Sequence, residues 1–210
     1  MKYIVNPVKG AKIDKYPKGD VYQWFGENPD LYYKSMGLNG HNGIDIAKPK
    51  GTPILATAGT ICEVKNNPSG YGKHVRILTD PDENGDFLEI TYGHLDEIYC
   101  YLGQRVKDGD IIATMGKTGF IISGNTPYWG NAPANTGVHL HLGCRECSTQ
   151  DTGWVSQYST GQKAFIKNYL NGFKGAIDPL PFIENWFKMQ IGTLQRLIEL
   201  YQKLLNLLKK

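Results

Sequence analysis

The stretch TGVHLHLGC, Thr136–Cys144, places two of the chain's five histidines at alternate positions among Val138, Leu140 and Leu142. A strand sends successive side chains to opposite faces, so His139 and His141 share one face while the three aliphatic residues line the other. The apolar face then belongs to a core and the histidine face to a site. At a rise of about 3.3 Å per residue the two Cα atoms stand about 6.6 Å apart, near enough for both imidazoles to reach one small volume. His-x-His alone is a weak signal, because paired histidines on an exposed strand face are commonplace.

The rest of the sequence has the same texture. Short apolar runs (Thr52–Ala56, Val75–Leu78, Ile111–Met115) are separated by Pro-Lys-Gly, Asn-Pro-Ser-Gly, Glu-Asn-Gly and Lys-Asp-Gly-Asp turns, and the chain carries 25 glycines and 11 prolines. This is the pattern of a mainly β fold. Gln23-Trp24-Phe25-Gly26 reads as a short aromatic strand in an otherwise turn-rich segment, Tyr3 to Asn39. Phe120 to Asn135, polar and rich in Gly and Pro, reads as a long surface loop. A short helix is expected around Gln162–Tyr169. The 210 residues suffice for one well-buried domain and an appendage.

A net charge of +3, spread along the chain without a cluster, argues against nucleic acid and favours approach to an anionic surface such as a cell wall. Of the cysteines Cys62, Cys100, Cys144 and Cys147, only the last two form a C-x-x-C, so isolated thiols are expected rather than a zinc ribbon. The opening MKYIVNPVKGAKID holds no apolar core of signal-peptide length, and no stretch approaches a membrane span.

Near the C-terminus, Ile191, Leu194, Ile198, Tyr201, Leu205 and Leu208 alternate spacings of three and four, the seam of an amphipathic helix. Leu197 and Leu204 widen the stripe, while Lys188, Arg196, Lys203 and Lys209 lie off it. Such a helix packs on its own domain, self-associates, docks on a partner, or rests on a membrane surface with its basic side outward.

Two further elements carry chemistry. In His41-Asn42-Gly43-Ile44-Asp45 the β-branched isoleucine and the glycine disfavour a helix. A fully extended strand would hold His41 and Asp45 about 13 Å apart, whereas a bend at Asn42-Gly43 would bring them together. Tyr92-Gly93-His94-Leu95 sets another histidine at a strand end. Three histidine elements and an aspartate make a plausible zinc set: three protein ligands leave a position open for water, four close the site. His74, in Gly72-Lys73-His74-Val75-Arg76, is expected to point outward as a surface histidine.

In their order, HNGIDIAKPKGTPILATAGTI, SGYGKHV, YGHLDEI, GQRVKDGDIIATMGKTG and TGVHLHL resemble the lysostaphin-type zinc metallopeptidases, endopeptidases of bacterial peptidoglycan. The resemblance runs from Gln23 to about Leu142, with an echo at Ile177–Ile183. It implies a compact antiparallel β-sheet or barrel-like metallopeptidase domain, with the amphipathic helix appended. It also implies one Zn2+ per chain held by His41, Asp45 and His141, with His139 as general base and His94 as a further catalytic histidine that steadies the water or the transition state. Zinc of that kind lowers the pKa of water from 15.7 to roughly 7 and polarises the scissile carbonyl. Two departures stand out: the Phe120–Asn135 insertion, which could wall the groove with Tyr128 and Trp129, and Leu142-Gly143 where the family commonly has Phe-Glu.

The expected organisation is therefore an N-terminal extension packed on the domain (1–22), a metallopeptidase domain (23–184, with the insertion 120–135 and a connector 148–176) and the helix (185–210). The expected partner is peptidoglycan, reached outside the cytoplasm. With no secretory segment visible, a virion tail enzyme attached through the helix is the expected setting, a lysis enzyme being the other. A noncatalytic wall-binding, assembly or regulatory module on the same fold is the alternative, and such members typically lose ligands that are all present here.

Overall fold

The computed structural model describes residues 1–14, 19–123 and 126–208, with side chains in the last helix described through Leu205. In chain order the elements are β1 (Val21–Gln23), α1 (Pro29–Met36), β2 (Ile44–Ile46), β3 (Pro53–Leu55), β4 (Gly59–Asn67) and β5 (Gly72–Leu78). Next come β6 (Asp86–Gly93), β7 (Leu95–Ile98), β8 (Arg105–Val106), β9 (Ile111–Met115), β10 (Phe120–Ser123) and β11 (Thr126–Trp129). The chain ends with β12 (Leu140–Ser148), β13 (Val155–Gln157), β14 (Lys163–Ile166), β15 (Ala176–Ile177) and α2 (Leu180–Leu208).

The fold is mainly β, as the turn spacing predicts. A ten-stranded sheet runs β1-β2-β12-β6-β5-β4-β8, with β14 and β15 also on β12 and β13 on β14; β3-β9-β7 form a second sheet and β10-β11 a hairpin. The pairings are antiparallel, as in β12 on β2, β12 on β6 and β5 on β6. Alternation divides the large sheet into two faces. Leu140, Leu142, Ile90, Tyr92, Val75 and Ile77 enter the core with Ile54, Leu95, Ile112 and Met115 of the small sheet. Each such aliphatic burial is worth about 1.5–3 kcal/mol. The intervening His141, Gly143, Arg145, Glu89, Thr91, Gly93, His74 and Arg76 fall on the opposite face.

Ile4, Val8, Ala11 and Ile13 belong to the same core. The N-terminal segment is also tied to the start of α2: Ile4 N–H donates to Phe182 O at 3.0 Å, and Asn185 Nδ2 to Lys2 O at 3.1 Å.

Several local expectations are corrected. The segment around Gln162–Tyr169 holds β14 rather than a helix, with Ala164 and Ile166 buried at a period of two against β13 and β12. Phe120–Asn135 begins as a hairpin in which Phe120 pairs with Trp129. The first strand ends at Gln23, so Trp24 and Phe25 lie beyond it. Helix α1 had no forecast; it has proline in its first turn and stops where Gly37 adopts the left-handed conformation.

Helix α2 leaves the domain after its first turns. Ile183 is buried, whereas Ile191, Leu194, Leu197, Ile198, Tyr201 and Leu204 are about half exposed or more. The seam therefore does not pack back on the domain. The Leu208 side chain and Lys209 lie outside what is described. Among the described residues no helix is long and apolar enough to cross a membrane.

Candidate active site

The antiparallel register sets Asp45 of β2 directly opposite His141 of β12, and His141 opposite Gly93 of β6. The chain bends at Asn42-Gly43, as expected, and returns His41 to Asp45. His41 Nε2, Asp45 Oδ1 and His141 Nδ1 form a triangle with sides of 3.0, 3.1 and 3.2 Å. All three side chains are buried. Ligands about 2.0–2.1 Å from a tetrahedral zinc ion stand about 3.3 Å apart, so these lone pairs fit the edges of one coordination face. Burial alone would raise the Asp45 carboxyl, but the charges of His41 and His139 and the hydrogen bonds of His141 and His41 hold it well below the usual carboxylate range. Burial pushes the His141 imidazole down, towards the neutral form a metal takes.

His41 Nδ1 faces Trp24 O at 3.3 Å. A proton on that nitrogen leaves Nε2 as a lone pair turned to the cluster. His141 instead uses Nδ1 inward, and its Nε2 is buried without a hydrogen-bond partner. Gly43 is what permits this: a Cβ there would come to 2.5 Å from Leu142 O and 2.7 Å from His141 Cε1. Gly43→Ala is expected to cost about 1–3 kcal/mol of stability through overpacking and to weaken zinc binding at least tenfold, read by thermal unfolding and metal titration. Unchanged zinc affinity would show that the crowding is relieved without moving the imidazole.

His139 and His94 stand beside the triangle. Each ring presents Nδ1 to a backbone carbonyl, Gly137 O and Thr118 O respectively, both at 2.8 Å. Their centroids are 4.5 Å apart, and His139 Nε2 lies 3.8 Å from Asp45 Oδ2. His94 sits at φ +60°, a left-handed conformation that costs a non-glycine residue about 1–2 kcal/mol. Burial drives its imidazole well below the ordinary range, and the neighbouring His139 and His141 add to this.

All five residues line a groove of about 1600 Å³. Tyr22 and Tyr32 of the β1–α1 side stand over it, Tyr22 edge-on to His139 at 5.7 Å and Tyr32 at 5.3 Å from His41. Burial and the Asp45 charge push both phenols up. The β10-β11 hairpin contributes Phe120, Ile121, Ile122, Pro127 and Trp129; of the two aromatics expected in the wall, Trp129 lines the groove and Tyr128 does not.

Sequence reading missed Tyr71, which stacks on His141 at 4.9 Å and accepts a hydrogen bond from Asn42 Nδ2 at 2.7 Å. It also misplaced His74. That residue is buried in the groove floor, its ring nitrogens facing Gly72 O at 2.9 Å and Glu63 Oε1 at 3.0 Å. The four cysteines are free, and burial raises their thiols.

Comparison with known proteins follows the same lines. The profile of Peptidase family M23 matches residues 39–154, more than half of the chain. ShyB of Vibrio cholerae, a peptidoglycan DD-endopeptidase, is 31% identical over 134 residues, which cover 62% of this chain and 27% of ShyB. NlpD of Escherichia coli, a murein hydrolase activator, is 43% identical over 100 residues, 47% of this chain and 25% of NlpD. The solved structure of LytU is 32% identical with a TM-score of 0.51, covering 82% of this chain and 89% of that one. The chain spans a third or less of the curated relatives it matches. Its profile match and its likeness to LytU over most of both chains place it: this chain belongs to Peptidase family M23.

Proposed function

We propose that the chain is a zinc-dependent endopeptidase that hydrolyses peptide bonds of bacterial peptidoglycan, in the stem peptide or the cross-bridge. The observation that carries the reading is the buried triangle of His41, Asp45 and His141, three lone-pair donors converging beside two further histidines in an open groove. Those three would hold one Zn2+. Zinc bound there supplies Lewis-acid polarisation of a carbonyl and acidification of water.

The remaining steps fall to the chain's own groups. With Nδ1–H donated to Gly137 O, His139 turns a lone pair at Nε2 to the groove and takes the proton of the attacking water. The protonated ring then returns it to the departing amine. His94, held by Thr118 O and kept neutral by burial, likewise offers Nε2 as an acceptor that orients the water. It steadies a developing oxyanion only once it carries a second proton. Walls of defined cross-link chemistry, digested and read by mass spectrometry, test the reading: new amino termini at one bond type support it, and intact peptides from zinc-loaded protein overturn it.

The likeness to NlpD favours a second reading, a noncatalytic activator of another hydrolase. In that case the same digestion releases nothing until a second hydrolase is added.

We further propose that the unit on 23–184, with its insertion 120–135 and connector 148–176, carries the chemistry, that 1–22 buttresses it, and that 185–210 is an assembly helix joining copies of this chain. The exposed seam supports this, since some ten half-exposed apolar side chains on one helix approach the roughly 800 Å² per partner of a stable interface. The setting this suggests is a tail-associated wall-degrading enzyme of a virion, acting outside the cytoplasm. Light scattering should give an oligomer that Leu197→Glu with Tyr201→Glu reduces to a monomer; a monomeric parent chain would overturn the joining of copies and leave docking to a tail assembly as the role of the helix.

A further inference from the structure

The groove floor continues past the histidines into a basic field. Register rows cross the sheet here: His141, Gly93 and His74 lie in one row, and Gly143, Thr91, Arg76 and Glu63 in the next. Beyond them Arg145 stands opposite Glu89. Four cationic side chains line the groove, Lys65, Arg76, Arg145 and Lys174. The carboxylates that line it are Asp45, inside the histidine cluster, and Glu63.

Glu63 is already committed. It takes His74 Nε2 at 3.0 Å, Lys65 Nζ at 2.5 Å and Arg76 Nε at 3.5 Å. Burial opposes its charge, yet these partners bring its carboxyl down to about 2. Glu89, buried beneath, accepts from Tyr158 Oη and meets Arg145 Nη1 at 3.5 Å and Arg76 Nη1 at 4.0 Å. The guanidiniums thus reach both acids at ion-pair distance only, and Arg76 Nε is buried without a hydrogen-bond partner. Guanidinium donors are arranged to grip a planar carboxylate in two bonds, and such a partner is not supplied from below.

Between His141 and Arg145, on the same face, position 143 is glycine, opposite Thr91, while Gly93 stands opposite His141. The His141 ring edge and Asn42 O lie over Gly143, and Tyr71 lies over Gly93, so a peptide running from the histidines towards Arg145 would pass across Asn42 and Tyr71, both of which line the groove. His141 and Arg145 are four strand positions apart, about 13 Å, the span of about four residues of extended peptide.

Resting on the peptidase reading, we propose that Arg145, Arg76 and Lys65 form a subsite for a carboxylate of the substrate peptide, three to four residues from the scissile amide. The chain would then prefer wall peptides whose acidic groups are free over those in which they are amidated.

The test is equilibrium binding of soluble stem-peptide fragments, with carboxylates free or converted to amides by carbodiimide and ammonia, to zinc-loaded His139→Ala protein by calorimetry. The free acid should bind at least tenfold more tightly, less so as salt rises. Arg145→Gln and Lys65→Gln, each verified as folded by thermal unfolding, should each shrink that ratio and together bring it near one; Arg145→Lys should keep part of it. Equal affinity for both fragments, or binding of neither, overturns the subsite. A preference that persists while zinc-loaded wild-type protein cleaves no wall would instead overturn the peptidase reading and leave the subsite standing.

Discussion

His141→Ala is expected to abolish both zinc retention and wall hydrolysis, with a loss of about a thousandfold or more in rate. Two features make this position decisive. His141 Nδ1 is 3.0 Å from His41 Nε2 and 3.1 Å from Asp45 Oδ1, so it closes the triangle from the strand opposite the other two. It is also fixed on both sides, by Tyr71 stacked on its face and by Gly43 against its edge. An alanine there leaves Asp45 with a buried charge and fewer partners, so a modest fall in thermal stability should accompany the loss. Elemental analysis after dialysis and a wall-turbidity assay check it, and chelation of wild-type protein should reproduce the activity loss and be reversed by zinc. Full hydrolysis after verified zinc removal would sink the metal-dependent mechanism.

His139→Ala should separate chemistry from metal binding. His139 Nε2 lies 3.8 Å from Asp45 Oδ2 and outside the triangle, so zinc content should stay near one per chain. Turnover should fall about 10²–10⁴-fold, the usual contribution of a positioned general base. The loss should appear in kcat rather than in fragment binding, because the side chain acts on a proton and the groove walls are left intact. Wild-type turnover in the variant would pass the proton-transfer role to His94, whose Nε2 faces the same space. Zinc loss equal to that of His141→Ala would mean the two histidines cannot be assigned different work.

Much of the cluster was legible because strand geometry acts over short range. The period of two puts His139 and His141 towards one site and Leu140 and Leu142 into the core, and with a helix disfavoured by Gly43 and Ile44 a bend at Asn42-Gly43 lets His41 meet Asp45; which histidine of the pair joins them came from the family resemblance, not from spacing. Which nitrogen each ring would turn inward was not legible, since it depends on Trp24 O, Gly137 O and Thr118 O arriving from distant segments. His74 was misread for a related reason. Alternation with Val75 correctly sent it off the core face, but that face is a covered groove floor rather than open surface, and Glu63 and Tyr71 bury it. The helix expected around Gln162–Tyr169 is not formed: so short a segment does not distinguish the two periods, and pairing of Lys163–Ile166 with β12 and β13 decides for a strand. Helix α1 was hidden by its short length and by a sequence of turn formers around it.

The attachment of α2 has a mechanical consequence. Through Asp178-Pro179 the helix continues directly from β15, whose Ala176 and Ile177 are bonded to Arg145 and Cys144 on the strand that carries His141. The same helix is held by Lys2 and Ile4 of the N-terminal segment. Tension on α2 therefore enters the domain by two parallel routes, one ending at Cys144, three residues from His141, and the other passing through Lys2 to Glu146, further along the same strand. If the helix is a mooring, the N-terminal segment shares its load between β12 and β6, through the ion pairs of Lys2 with Glu146 and Asp86, instead of leaving it on β15 alone.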